Sequence, residues 1–333
     1  MKPTKQQPKK RTFLDLLTIE KDRYLRKGFF WQSVNVVLGY SEVTFIIWFG
    51  SFIWPKVLEF LGQNNVEEWQ FSVFFSWVYN ASVFAICNVV FMVIYKLEHP
   101  FFEQYKVQKD EKWPWIQDPK AWRELLSKTL QLVLFNNLVI VPFILYLGVL
   151  LSGGQSTHSF ATQDLPTAWT FLWQYCFCLI IEDAVFTFTH SMLHKPYLYK
   201  RVHKIHHTYT QAIGLSAEYA HPLEFVLGNM LPLGIPCMIL GKRMHFYTFI
   251  AIGTLRIIGT TLGHSGYDFP FEPSELLPFR ATSAYHDYHH AGNINGNLGG
   301  GTVLVDFIFG FNEHYYDHLD KIYGSKKEDR KTQ

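Results

Sequence analysis

The chain has 333 residues, of which 48% are hydrophobic, 17% aromatic and only 17% charged, and its formal net charge is +2. So many aromatics with so few charges is unusual for a soluble protein. A net charge this small does not imply nucleic-acid binding, and the length suits one large domain or two.

Residues 1–12, MKPTKQQPKKRT, are basic and polar and read as disordered. No secretory cleavage site follows, because the first apolar stretch starts too late and runs too long. Four segments then have about the ~20 apolar residues a bilayer crossing needs. They are Asn35–Trp54 with Glu42 inside, Val73–Tyr95, Leu130–Leu151 with Asn136, Asn137 and Pro142, and Ala168–Thr189 with Glu182 and Asp183 near its end. Two further runs, Leu223–Leu240 and Met244–Leu262, are joined only by Gly241–Arg243, and the first contains Pro232 and Pro236. They read as a hairpin that enters the membrane without fully crossing. The four cysteines, Cys87, Cys176, Cys178 and Cys237, lie in apolar runs and read as small buried hydrophobes, and the CxC of Cys176 and Cys178 as core.

Lysine and arginine placement orients the chain. The loop 96–128 carries seven of them, the loop 152–166 none, and Lys195, Lys200, Arg201 and Lys204 follow the fourth segment. Both termini and all the histidine groups described next are therefore expected on the cytosolic side. The expected fold is an all-α integral membrane protein: four transmembrane helices, a possible partial hairpin, and a cytosolic helical cap. The expected divisions are a basic arm over 1–30, a transmembrane region over 31–165, a catalytic segment over 166–312 and a charged tail over 313–333, frayed over Lys321–Gln333.

Three histidine groups dominate the second half: His190 and His194 at HxxxH spacing, then His203, His206 and His207, then His286, His289 and His290, both at HxxHH spacing. Helical side chains at i, i+3 and i+4 share a face, so each group can aim its rings at one point. Neutral imidazole ligates iron, zinc, copper and nickel. Eight such residues exceed the four ligands of a tetrahedral zinc, and two metals in a shared cage fit better. His190 directly follows the fourth membrane segment, so the metals are expected near the membrane surface, open to a lipid arriving sideways from the bilayer.

His221 in EYAHP and His264 in LGHSGYD are further candidates at the ends of the hairpin. Glu182, Asp183, Glu218, Asp287 and Asp306 are candidates to accept the second ring N–H of a bound histidine. Trp173, Tyr175 and Phe186 are candidates for a pocket wall, though packing between membrane helices explains them as well. His99, His158, His245, His314 and His318 fall outside the spacing pattern and read as ordinary residues. The Gly299–Gly301 run lacks the lysine of a phosphate loop and reads as a turn.

The boxes HSMLH, HKIHH and HDYHH, on a helical membrane protein, resemble the fatty acid hydroxylase/sterol desaturase superfamily. QYKVQKD, VLFNN, IED, AEYAHPLE, HSGYDFP and LLPF resemble its 4-methylsterol monooxygenase branch, over roughly residues 95–312. The resemblance implies a histidine-held di-iron centre. Its ligands would be His190, His194, His203, His206, His207, His286, His289 and His290, completed by His264 and His221. It also implies dioxygen as oxidant, cytochrome b5 with NADH-cytochrome b5 reductase as electron source, a sterol substrate drawn from the bilayer, and the endoplasmic reticulum membrane as location.

The sequence departs from that pattern in having Lys195 after the first box, Val305–Asp306 where relatives carry an aromatic–Asp pair, and an end, DRKTQ, without a dilysine signal. The first two loosen the substrate assignment while leaving the boxes intact. Sterol 5-desaturase, sterol side-chain dealkylase and fatty acyl hydroxylase are the alternatives within the superfamily. A histidine-rich metal transporter is the distant one, disfavoured because the histidines sit at segment ends and not near the bilayer midplane. A sterol-binding relative without catalysis is disfavoured by the complete boxes.

Overall fold

The computed structural model describes residues 8–292 and 294–329, with side chains to 322. Ten helices matter here: α1 (Phe13–Arg26), α2 (Gly28–Asn64), α3 (Glu68–Leu97), α4 (Pro119–Leu151), α5 (Ala168–Leu193), α6 (Pro222–Arg243), α7 (Phe246–Gly263), α8 (Ser283–Gly292), α9 (Leu304–Phe309) and α10 (Glu313–Asp329). Strand pairing among the described residues is limited to three isolated bridges.

The six helices α2 to α7 are each long and apolar enough to cross a bilayer. The expectation is of four spans and a partial hairpin; by length and composition the two hairpin helices, α6 and α7, are also able to cross. At about 1.5 Å per residue, the 22 residues of α6 and the 18 of α7 reach roughly 33 and 27 Å, against a hydrocarbon core of about 30 Å. The prolines that suggested a break are accommodated. Proline removes an N–H and its ring crowds the carbonyl four residues back. In α6 the turn before Pro232 widens to a π-turn at Phe225–Met230, and in α4 Pro142 follows a π-turn at Asn136–Ile140. Each helix continues past its proline.

The bundle is apolar outside and polar within. Phe45, Phe74, Ile86, Val89, Leu138, Phe143, Ile180 and Phe188 are exposed on the spans, which lipid tolerates and water does not. Inside, amides and an indole reach across to main-chain carbonyls, as polar groups joining membrane helices do. Asn35 donates to Pro270 O at 2.8 Å, Trp54 to Phe160 O at 2.8 Å, Gln174 to Arg243 O at 2.8 Å and Asn136 to Ala220 O at 2.9 Å. Of the cysteines, Cys178 and Cys237 are buried as expected, whereas Cys87 is half-buried and Cys176 exposed.

Where α2 crosses α7, Gly50 admits the Tyr247 ring, whose hydroxyl donates to Ile46 O at 2.7 Å. A Cβ at Gly50 would lie 2.6 Å from Tyr247 Cε1. Gly50→Ala is therefore expected to destabilise the protein by about 1–3 kcal/mol through overpacking, measured as earlier thermal unfolding in detergent.

At one end of the bundle an aromatic cluster of Tyr95, Trp113, Tyr209 and Tyr267 forms the base of the cap. Tyr95 donates to Ser265 O at 2.8 Å and accepts from Gly214 N at 3.1 Å, tying the end of α3 to two cap segments. The N-terminal arm belongs to the same end. Residues 8–12, expected to be disordered, are instead tied to the cap: Arg11 pairs with Asp317 and Asp320 of α10, each at 2.8 Å. Arg23 of α1 pairs with Glu275 at 2.6 Å. Residues 1–7, the rest of the expected disorder, lie outside the described residues. The tail expected to fray is helical to Asp329, and residues 330–333 lie outside the described residues.

Candidate metal centre

Nine of the ten candidate histidines converge. His190, His194, His203, His207 and His289 form one group, and His206, His264, His286 and His290 a second; within each, the ligating ring atoms lie within 4.8 Å of one another. The groups adjoin, with the rings of His207 and His290 stacked at 4.9 Å. Their placement follows from helix ends. His190 lies in the last turn of α5, with His194 capping it, and His264 caps α7. His286, His289 and His290 share a face of α8. His203–Thr208 is a 3-10 turn and not the α-helix assumed for HxxHH spacing; it supplies His203 and His207 to one group and His206 to the other.

His221, the tenth candidate, is in neither group. Its Nδ1 accepts Leu223 N–H at 3.2 Å, capping the start of α6. The position before a helix-opening proline favours a capping side chain, and this local bond holds the ring.

Five rings are held by their Nδ1–H. His190 donates to Leu298 O at 2.8 Å, His289 to Gly296 O at 2.7 Å, His290 to Tyr209 O at 3.1 Å and His264 to Thr260 O at 2.8 Å. His203 donates to Glu224 Oε1 at 2.7 Å. Each bond fixes the tautomer with a bare lone pair on Nε2. Yet His190 Nε2 lies 3.0 Å from His203 Nε2, and both of these rings are held through Nδ1. Bare lone pairs cannot face one another at that distance unless a cation sits between them or a ring takes up a proton.

Protonation is opposed by the surroundings. Burial pushes His194 down to about 2, His207 to about 3 and His264 to about 4, with neighbouring histidines adding to the effect. It likewise holds His203, His206, His286, His289 and His290 far below the ordinary imidazole range. The rings are neutral at physiological pH, so the donor set fits two metal ions, one per group. With only nitrogen ligands and no thiolate, it suits iron, zinc, copper or nickel.

The five carboxylates expected to orient the rings do other work. Glu182 pairs with Arg256, Glu218 Oε2 accepts from Asn137 at 2.6 Å, and Asp287 Oδ1 accepts from Gln108 at 3.0 Å. Asp183 and Asp306 act one layer further out, on the glycine loop. Asp183 accepts from the main-chain N–H of Gly301 at 3.1 Å and of Thr302 at 2.9 Å, and from the Thr302 hydroxyl at 2.6 Å. Asp306 accepts from Gly299 N at 2.8 Å and Tyr285 Oη at 2.6 Å. They hold the loop that presents the Gly296 and Leu298 carbonyls to His289 and His190.

The carboxylate missed at the sequence level is Glu224. It lies in the AEYAHPLE segment, 21 residues from the histidine it serves, so no local pattern pairs them. Glu224→Gln, which can turn an amide N–H toward His203, is expected to weaken metal binding about 10- to 100-fold, the usual effect of losing an orienting partner. Metal content after dialysis against graded chelator measures it.

Two cavities lie at and beside the site and share Thr260 in their walls. A small one, about 30 Å³, is lined by Phe186, His190, His203, Glu224, Thr260 and His264. A second, about 1,000 Å³, lies between α2, α5 and α7 and also reaches Thr260. Of the expected pocket aromatics, Phe186 lines the small cavity and Tyr175 the large one, while Trp173 is exposed on the outer face of α5.

Residues 175–311, which contain all nine converging histidines, match the fatty acid hydroxylase family model. The chain is 32% identical to methylsterol monooxygenase 1 of Danio rerio over 80% of its own length and 86% of that protein's. It is 34% identical to a putative methylsterol monooxygenase of Dictyostelium discoideum, over 65% of this chain and 75% of that one. It is 29% identical to the very-long-chain aldehyde decarbonylase GL1-8 of Oryza sativa subsp. indica, over 76% and 89%. No solved structure matches. With its histidine boxes gathered into one buried cage at the end of an apolar bundle, and relatives aligned over most of its length, the chain belongs to the fatty acid hydroxylase family.

Proposed function

We propose that the protein is a membrane-bound di-iron oxygenase that oxidises the carbon-4 methyl group of methylsterols, using dioxygen and electrons from cytochrome b5 and its NADH-dependent reductase. The observation that carries this reading is the pairing of two buried imidazole groups with an adjoining cavity of lipid dimensions; the methylsterol monooxygenase relatives support the substrate class. The catalytic segment is 166–312, with 1–30, 31–165 and 313–333 around it. The histidine end faces the cytosol from the endoplasmic reticulum membrane, in keeping with the lysine-rich loop 96–128 and the lysine-free loop 152–166.

His190, His194, His203, His207 and His289 would hold one iron, and His206, His264, His286 and His290 the other. The irons, when bound, supply the activation of dioxygen that an unreactive C–H bond demands and that acid–base groups cannot provide. The chain's own work is orientation and exclusion. Four carbonyls and Glu224 aim the Nε2 lone pairs inward. Burial keeps the rings unprotonated and available as ligands. Phe186 and Leu193 line the small cavity and limit water at the reacting face. The large cavity admits the substrate from the membrane side.

The test is sterol analysis of cells lacking the gene, together with iron analysis of the purified protein. Accumulated 4-methylated sterols and about two irons per chain are the expected result. Normal 4-methylsterols beside a different accumulated lipid would overturn the substrate assignment, and the rice relative makes a long-chain aldehyde the first alternative to look for.

A further inference from the structure

Helices α5 and α7 carry matched ladders toward the site. On α5, Glu182, Phe186 and His190 follow one another at intervals of four residues; on α7, Arg256, Thr260 and His264 do the same. The top rungs enter the two metal groups. The middle rungs, Phe186 and Thr260, line the small cavity, and Thr260 lines the large one as well. The bottom rungs, Glu182 and Arg256, form an ion pair that faces the large cavity. By helical rise this pair lies roughly 12 Å below the histidines and roughly 6 Å below Thr260.

The wall of this cavity is mainly apolar, with residues such as Ile47, Trp48, Phe171, Leu172 and Ile252, and its other charged members, Glu42 and the Glu272–Arg280 pair, lie on other segments; charges inside a membrane bundle usually serve function. Fastening the helices together would use both groups fully. Here Arg256 meets Glu182 through Nε, and its two Nη groups have no acceptor among the described residues. The side chain is 20% exposed where it faces the cavity, so those donors are open to a ligand there. The cavity then continues away from the metals along α5 as far as Ala168, roughly 21 Å by helical rise. It therefore offers a reacting end at Thr260, a polar contact one turn away, and a long, mainly apolar remainder.

We propose that the Glu182–Arg256 pair is the hydroxyl-recognition element of this cavity. It binds the ring 3-hydroxyl of a 4-methylsterol so that the methyl group on the adjacent carbon lies at Thr260, against the histidine cage, with the sterol tail pointing toward the far end of the bundle. The inference rests on the sterol reading above and adds to it the orientation of the substrate and the residues that set it. Glu182 accepts the hydroxyl proton and an Arg256 Nη donates to the hydroxyl oxygen, so a ligand without that proton loses one bond and crowds the other.

The experiment uses the full-length protein in phosphatidylcholine nanodiscs. Binding of a radiolabelled 4,4-dimethylsterol is competed by the same sterol with a free 3-hydroxyl or by its 3-O-methyl ether. The wild type is expected to prefer the hydroxyl by about 10- to 100-fold, as for a hydrogen bond to a charged group. The double variant Glu182→Leu/Arg256→Met, which replaces the pair by apolar side chains, is expected to bind the two compounds alike. Equal binding of both by the wild type would overturn the proposal while leaving the sterol reading standing, and this arm needs no variant to fold. A folded double variant that keeps the full preference would also overturn it. If the wild type binds neither sterol but does bind a straight-chain aldehyde, the sterol reading itself falls, and this proposal with it.

Discussion

Replacing His286 with alanine is expected to lower iron from about two to about one per chain and to cut turnover to below about a hundredth of the wild type. The asymmetry of the two groups makes this the sharpest single change. The group around His286 has four imidazoles, and the loss of one leaves three. The other group has five and keeps four when His194 is removed. His194→Ala is accordingly expected to retain both irons with a smaller loss of turnover. His286 also sits at the centre of its group, with Nε2 at 2.9 Å from His264 and 3.1 Å from His290. Elemental analysis of purified variants checks the prediction, and a His286→Ala protein with full iron content would refute the assignment of four ligands to that group.

The second large effect is expected at a residue that touches no histidine. Asp183 is 1% exposed and accepts three hydrogen bonds from Gly301 and Thr302. Alanine there strands those donors in a buried site, for an expected loss of about 3–5 kcal/mol. The damage is not limited to stability. The same loop carries the carbonyls that hold His190 and His289, and Gly300 lies so close to Phe186 that a Cβ would meet its ring at 2.9 Å. A slack loop releases both rings and Phe186 together. Asp183→Ala is therefore expected to unfold at lower temperature in detergent and to lose metal from the five-histidine group first, followed by elemental analysis across a chelator titration. Asp183→Asn keeps an acceptor oxygen and should fall between the two. Wild-type metal retention in Asp183→Ala would show that the loop is held by other contacts.

The uneven legibility of the sequence has physical causes. Uninterrupted apolar runs in a chain this poor in charge mark the membrane helices directly, because lipid demands an apolar exterior whatever the tertiary fold. Imidazoles repeating at three and four residues mark the cage, because short-range helical geometry already clusters them. The α6–α7 hairpin was harder: Pro232 and Pro236 signal a break, whereas a π-turn absorbs the strain, and only the folded backbone reveals that. His221 misled because the HP pair that begins a helix looks, by residue type alone, like one more ligand. The contacts between histidines and their acceptors were beyond reach. Glu224 meets His203 across 21 residues, and Leu298 O meets His190 across 108. Such pairings are set by how α5, α6, α8 and the glycine loop pack, and no spacing rule encodes them.

One feature of the cage bears on how such a protein can vary. Four of the five acceptors that steer the rings are main-chain carbonyls, at Gly296, Leu298, Tyr209 and Thr260. A carbonyl belongs to every amino acid, so these four tethers survive exchange of the side chains that bear them, provided the backbone keeps its path. The wall of the large cavity can therefore be reshaped, at Thr260 for example, while the geometry of the histidine cage stays put. The cavity and the cage are in this sense separately adjustable, and a scaffold so built can change what it admits without rebuilding the site beside it.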